Sequence, residues 1–259
     1  MKIVVFVKQV PDSTANVVVE NGQIDWGDAP LVINPWDEIA VEAALMQKES
    51  LGAEVVAVSL GSEGATEALK HALAMGCTEA VLISDPALET LDSLAAARVL
   101  AAALEKVGSV DLAIFGRQSI DSETGLTASQ AARLLSWPSL TLVSEIKNLD
   151  SDAGKVIVSR TIEEGQQVVE AHLPAVLSVG KDFAEPRFPS FLGKRKAAKV
   201  EIPVWSLGDL GIEAPVSVID WAEKLNPPEK DIVTEMITGS SAGEIAEKLA
   251  EKIIVEKIL

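Results

Sequence analysis

The run GRQSIDSETG, from Gly116 to Gly125, brings hydroxyl, amide and carboxylate side chains together in a form that could grip a polar ligand. It follows the strand-like DLAIFG and leads into a helical pattern that ends at Trp137-Pro138. Free amides at a helix N-terminus, joined by the hydroxyls of Ser122 and Thr124, suit a phosphate. Asp121 and Glu123 can accept hydrogen bonds from a ribose or an adenine, although as anions they should not face a phosphate directly. The same residues also suit plain capping, with Asp121 or Ser122 as the N-cap, so this stretch alone leaves binding and capping both open.

Other chemistry is missing from the sequence. No GxGxxG follows the first strand, and no phosphate loop of the GxxxxGK type occurs. The first strand runs into VPDST instead of a glycine-rich turn, which speaks against nucleotide cleavage. His71 and His172 lie far apart without companions at metal-ligand spacing, so both read as structural and no metal is expected. No GxSxG nucleophile motif is present, and Glu163-Glu164 before Gly165 reads as solvated charge at a hairpin turn.

The elements that must position the 116–125 run alternate regularly. KIVVFVK (2–8) reads as a strand buried on both faces, and VVVENGQIDW as a hairpin about Asn21-Gly22. Asn34 offers an N-cap, Pro35 a first helical position and Asp37 an acidic third, for a helix over 35–50 that Gly52 stops. Ile39, Ala43 and Met46 share one of its faces. A strand ending at Gly61, a helix over 62–75, the strand EAVLIS, a helix over 90–107 and the strand DLAIFG follow. This rhythm predicts a parallel sheet with right-handed crossovers. In such a sheet ligands sit beyond the carboxyl ends of the strands where the strand order reverses. Those ends are Val7-Lys8-Gln9, Ser59-Leu60-Gly61 and Gly116-Arg117-Gln118.

After residue 139 four strands joined by short turns predict an antiparallel annex that could continue the main sheet. From Lys181 to about Ser240, Pro186, Pro189, Pro203, Pro215, Pro227 and Pro228 interrupt every long pattern, which predicts an extended arm. A terminal amphipathic helix, SAGEIAEKLAEKIIVEKIL, offers Ile245, Leu249, Ile253 and Ile254 for docking. The expected division is an α/β domain over 1–180, annex included, and an arm over 181–259.

With 259 residues and 48% hydrophobic content but no Tyr, the core must be aliphatic. The formal charge of −17 argues against a nucleic-acid surface, although Arg187, Lys194, Arg195, Lys196 and Lys199 crowd into one short basic stretch. Cys77 is the single cysteine, which excludes an internal disulfide. MKIVVFVKQVPD enters a strand pattern without a signal-peptide design, and no apolar run approaches the roughly 20 residues that cross a bilayer. A cytoplasmic chain without membrane insertion is the expectation.

Four stretches carry a resemblance to a known family: VKQVPD, NPWDEIAVEAAL from Asn34, VAVSLG followed by ALAMG, and VSRTIEEGQQVVEAHLPAVLS from Val158 to Ser178. With EPRFPSF from Glu185 and the terminal EKLAEKI, they resemble, in order and over essentially the whole chain, the beta subunit of electron transfer flavoproteins, the family that includes the FixA-type proteins. The resemblance implies a fold like that of the adenine-nucleotide alpha hydrolases, a relative of the Rossmann fold. It implies a non-catalytic electron-carrier subunit paired with an alpha subunit that carries the redox-active FAD. Electrons would arrive from a donor dehydrogenase and leave to a quinone oxidoreductase or another acceptor. In the beta-subunit cleft, ordinary members bury AMP and electron-bifurcating members hold a second FAD.

By that resemblance the nucleotide contacts fall on Phe6, on Asn34, Pro35, Trp36 and Asp37, and on Leu60. They continue along Gly116, Arg117, Gln118, Ser119, Ile120, Asp121, Ser122, Glu123, Thr124, Gly125, Leu126 and Thr127. The sequence departs from the family here: DSETGLTAS carries Leu126 and Ala128 where a Gln and a Gly are usual. VKQVPD points to the FixA and bifurcating branch and NPWDEIAVE to the AMP-binding branch, so AMP and FAD both stay open, with the balance inclined to FAD. The family's recognition loop inserts a Leu into its donor dehydrogenase. Phe191 occupies or adjoins that place, flanked by Arg187, Lys194 and Arg195. The alternatives are a stand-alone nucleotide sensor of the universal-stress type, which needs neither annex nor arm, and a nucleotide-cleaving enzyme, which lacks its catalytic cluster here.

Overall fold

The computed structural model describes residues 1–219, 221, 223–226, 228 and 234–256. From the N-terminus, β1 (Lys2–Phe6) leads to β2 (Gln9–Pro11), β3 (Val18–Glu20), β4 (Gln23–Asp25) and β5 (Leu31–Ile33). Helices and strands then alternate through α1 (Pro35–Leu51), β6 (Glu54–Leu60), α2 (Thr66–Met75), β7 (Glu79–Ile83), α3 (Ser93–Val107), β8 (Leu112–Gly116) and α4 (Thr127–Leu135). There follow β9 (Ser139–Asp150), β10 (Lys155–Ile162), β11 (Gly165–His172), β12 (Ala175–Val179), α5 (Phe191–Ala197), β13 (Val204–Trp205), α6 (Leu207–Leu210) and α7 (Ala242–Val255).

Among the described residues, nine strands form one sheet in the order β11-β10-β9-β12-β8-β1-β6-β7-β13. The pairs from β9 across to β13 are all parallel, as the helix–strand rhythm requires. Strand β1 alternates its faces. Ile3 and Val5 pack with Val41, Leu45 and Leu69 of α1 and α2, whereas Val4 and Phe6 pack with Val99, Leu104 and Ala131 of α3 and α4. Both faces are therefore covered, which is why the strand reads as an uninterrupted apolar run. Each fully buried Val, Leu or Ile contributes about 1.5–3 kcal/mol of transfer free energy, so an aliphatic core without Tyr suffices.

Chain order reverses beside β1. The crossovers go outward to β6 and β7 on one side, and the chain then returns to place β8 on the other. Asn21 and Gly22 take φ values of 51° and 74°, the conformation that a two-residue turn between β3 and β4 demands. Gly52 ends α1 at φ 67°.

Three expectations need refinement. The four strands after residue 139 do continue the main sheet, but only β9, β10 and β11 run antiparallel to their sequence neighbours. Strand β12 is inserted between β8 and β9, parallel to both. The stretch expected to be an extended arm contains α5, α6 and β13, and β13 joins the far sheet edge through Leu82 N–H to the Pro203 carbonyl and Ser84 N–H to the Trp205 carbonyl. Met46 lies exposed on α1, although Ala43 is fully buried.

The chain divides into two compact units, Met1–Lys224 and Leu225–Leu259. Within the second, Ser241 caps α7 by accepting from Glu244 N–H, and Lys252 pairs with Glu235. Pro227 and residues 257–259 of the expected terminal helix lie outside the described residues.

Candidate functional site

The carboxyl ends of β1 and β8 diverge at the point of strand-order reversal, and the first turn of α1 ties them together. Lys8 N–H donates to Asp37 Oδ2 at 2.8 Å, and the Lys8 carbonyl accepts from Asn34 N–H at 2.8 Å. Gly116 closes against the same turn, because a Cβ there would collide with Asp37 Oδ1 and would lie 2.8 Å from the Trp36 carbonyl oxygen. Asp37 is buried, and burial lifts its carboxyl to about 7 against the opposing pull of Asn34, Lys8 and Gly116.

Asn34 occupies the N-cap position of α1 but makes no side-chain cap bond. Its Nδ2 instead donates to the Gln118 carbonyl at 2.9 Å, and its Oδ1 accepts from Ile120 N–H at 3.3 Å. A buried amide must satisfy both ends, and the loop after β8 supplies one partner for each. Lys8 Nζ lies 2.5 Å from Asp121 Oδ2, which pins the middle of that loop to β1. Burial pushes the Asp121 carboxyl up, but the charge and hydrogen bond of Lys8 outweigh it and hold the group below its usual range.

The loop corrects one expectation. Neither Asp121 nor Ser122 caps the helix, which begins only at Thr127. Glu123 at φ 49° and Gly125 at φ 61° lie in the left-handed region, which a right-handed helix cannot continue. Ser122 bonds to Ser119 instead, Oγ to Oγ at 2.9 Å. Helix α4 consequently starts behind Leu126 without a side-chain cap, leaving its first amides without that partner.

A cavity of about 480 Å³ opens at this place. Of the residues expected to contact a nucleotide, Phe6, Asn34, Asp37, Leu60, Gly116, Arg117, Gln118, Ser119, Ser122, Thr124, Gly125, Leu126 and Thr127 line it. Pro35, Trp36, Ile120, Asp121 and Glu123 do not. Trp36 faces the Arg117 guanidinium at 5.7 Å, Ile120 and Asp121 hold the loop as described, Pro35 opens α1, and Glu123 is exposed. Phe6 and Phe115 stack with centroids 4.3 Å apart and, with Val58, Leu60, Leu91 and Leu100, give the cavity an apolar side.

The start of α3 and the arm, which no site motif in the sequence marks, contribute Asp92, Ser93, Ala96, Ile219 and Trp221 to the lining. Asp92-Ser93 ahead of an alanine-rich helix is a readable capping signal. Nothing local marks Ile219 or Trp221.

Outside the cavity, Phe191 opens the short helix α5 and is 84% exposed, with Phe188 and Leu192 exposed beside it. Lys194 and Arg195 are exposed on the same helix. Arg187 is engaged within the chain: its guanidinium bonds both oxygens of the buried Glu42 at 2.8 Å and also reaches Glu49 on α1.

These features define an open, doubly wound α/β protein whose cleft lies at the topological switch point. The comparisons narrow this class. A family model described as the electron transfer flavoprotein domain matches residues 23–210. A caffeyl-CoA reductase-Etf complex subunit CarD of Acetobacterium woodii is 37% identical, with all of both chains covered. An electron transfer flavoprotein subunit beta of Thermoanaerobacterium thermosaccharolyticum is 33% identical over 98% of each chain. A FixA protein of Azorhizobium caulinodans is 34% identical over 82% of this chain and 78% of its own. The chain belongs to the electron transfer flavoprotein family, with the beta subunits and FixA proteins. Among the described residues no helix is long and apolar enough to cross a membrane.

Proposed function

We propose that this chain is the adenine-nucleotide-holding subunit of a two-chain electron transfer flavoprotein. In this reading an alpha subunit carries the redox-active FAD, and the chain itself performs no turnover. The observation that carries the reading is the clamped switch point, where Asp37 and Asn34 join β1, β8 and the 117–126 loop around one cavity.

The residues present fit an adenine nucleotide. The cavity lies within the ~300–1,000 Å³ usual for small-ligand sites. Phe6, Leu60 and Phe115 offer apolar surface for a planar ring, and Ser119, Ser122 and Thr124 offer hydroxyls. Arg117 and the uncapped start of α4 supply positive potential for a phosphate, while the Lys8 charge is paired with Asp121. When a flavin is bound it supplies the redox chemistry, while the chain contributes binding, orientation and exclusion of water. Whether the cleft holds AMP or a second FAD, the same residues serve the adenylate half. A second FAD would make the complex a bifurcating one.

Residues 181–259 are the partner-facing part in this proposal. Ile245, Leu249, Ile254 and Val255 of α7 are exposed, and α7 has no buried residue, as suits a helix that docks on another chain. Phe191, with Lys194 and Arg195, is the docking point for a donor dehydrogenase, and Arg187 sets its root on α1. A cytoplasmic location belongs to the same proposal. A stand-alone sensor would have no use for these exposed apolar surfaces. Expression of the chain alone and with an alpha subunit tests the reading. It predicts a yellow two-chain complex together and poor solubility alone, and a stable colourless monomer indifferent to the alpha subunit would refute it.

A further inference from the structure

Asp92 performs two tasks at once. Its Oδ1 accepts from Ala95 N–H at 2.7 Å and caps α3, while its Oδ2 accepts from Val218 N–H at 2.6 Å and Ile219 N–H at 3.0 Å. The contact is reciprocal, since Asp92 N–H donates to Ser217 Oγ at 2.9 Å, and that hydroxyl donates to the Thr90 carbonyl at 3.3 Å. Four hydrogen bonds thus latch three consecutive arm residues to the start of a helix some 125 positions earlier in the chain. The backbone bonds from Ala95 and Val218 keep the Asp92 carboxyl below its usual range, so the latch is an anion meeting donors.

The latch has a consequence for the cleft. Ile219, the last latched residue, and Trp221, two positions beyond it, line the cavity, yet they remain 57% and 69% exposed. The bond to Asp92 fixes the Ile219 backbone at the cavity mouth, and Trp221 follows two positions on. Their apolar surface stays open to whatever enters.

We propose that Ile219 and Trp221 form a latched lid on the cleft, in which the Trp221 indole packs against the planar heterocycle of a bound adenine nucleotide and Asp92 holds the lid in place. This rests on the reading of the cleft as a nucleotide site. An indole stacks on any flat heterocycle, adenine and isoalloxazine alike, so the lid serves retention and not discrimination between them.

The test is the rate at which nucleotide leaves the full chain in its co-expressed complex, with labelled AMP and FAD as separate probes and excess unlabelled nucleotide as the chase. Trp221→Ala is expected to release the bound probe about tenfold faster, and Trp221→Phe, which keeps a ring, within about threefold of wild type. Asp92→Asn separates the two tasks, because an Asn caps a helix about as well as Asp but turns a donor toward Val218 and Ile219. It should speed release about fivefold with helix content unchanged. Wild-type release rates in both Trp221→Ala and Asp92→Asn would overturn the lid and leave the nucleotide site standing. So would a Trp221→Ala complex that falls apart into subunits while the intact fraction releases nucleotide at the wild-type rate. A wild-type complex that binds neither AMP nor FAD in this chain would overturn the nucleotide reading and the lid with it.

Discussion

The Asp37 carboxylate accepts the backbone N–H of Lys8 at 2.8 Å, joining the first turn of α1 to the end of β1 at the point where the sheet reverses its strand order. Gly116, at the end of β8, fits against the other oxygen of the same side chain. One buried acid therefore sets the spacing between the two strands that frame the cleft.

That burial has a pH signature. The Asp37 carboxyl titrates at about 7 in the folded chain, against 3.8 for an ordinary Asp. Between those values the folded chain keeps a proton that the unfolded chain has lost, so this group's contribution to stability declines as pH rises through the window and is level above it. The full difference is on the order of 4 kcal/mol. Urea unfolding of wild type and Asp37→Asn across about pH 4 to 8 should show the wild type losing ground to the variant as pH rises. Parallel curves would contradict it.

Gly116→Ala should destabilise the chain by about 1–3 kcal/mol, since the added methyl meets the Trp36 backbone and the Asp37 carboxylate and not a flexible side-chain end. The same variant should weaken nucleotide retention by spreading β1 and β8. Thermal unfolding and nucleotide release from one preparation check both halves.

Arg187→Ala leaves Glu42 buried without its bidentate partner. Because 35% of the Arg187 side chain is in solvent, the expected cost is about 2 kcal/mol, below that of a fully buried pair. Arg187→Lys should recover only part of it, since an ammonium cannot bond both carboxylate oxygens in parallel. Equal stability of the Lys variant and wild type would show that charge alone matters there.

Phe191→Ala should leave stability within about 0.5 kcal/mol of wild type, because the ring is almost wholly in solvent. Electron transfer from a donor dehydrogenase should fall at least tenfold at limiting concentration if the ring is an interface anchor. Unchanged transfer would remove Phe191 from the docking surface.

Much of this was legible in the residues. Apolar runs such as KIVVFVK and the Gly-terminated strand ends gave the parallel sheet and located the cleft at the edge beyond Leu60 and Gly116, because buried strands and switch points follow from pattern alone. The start of α4 was not legible, since DSETG carries capping residues, and the positive φ of Glu123 and Gly125 and the bond of Ser122 to Ser119 show that they are spent within the loop. Asn34 looked like a cap and is a brace, because burial and not residue type decided its partners. Ile219 and Trp221 were out of reach of local reading. Ile219 arrives at the cavity through the bond its N–H makes to Asp92, and no sequence period spans that distance.

The most direct test of the account is a count of adenine nucleotides released by acid from the gently purified two-chain complex. The account predicts two per complex: the alpha-subunit FAD, plus either AMP or a second FAD from the cleft between β1 and β8. A single FAD per complex, with no second adenylate, would contradict it.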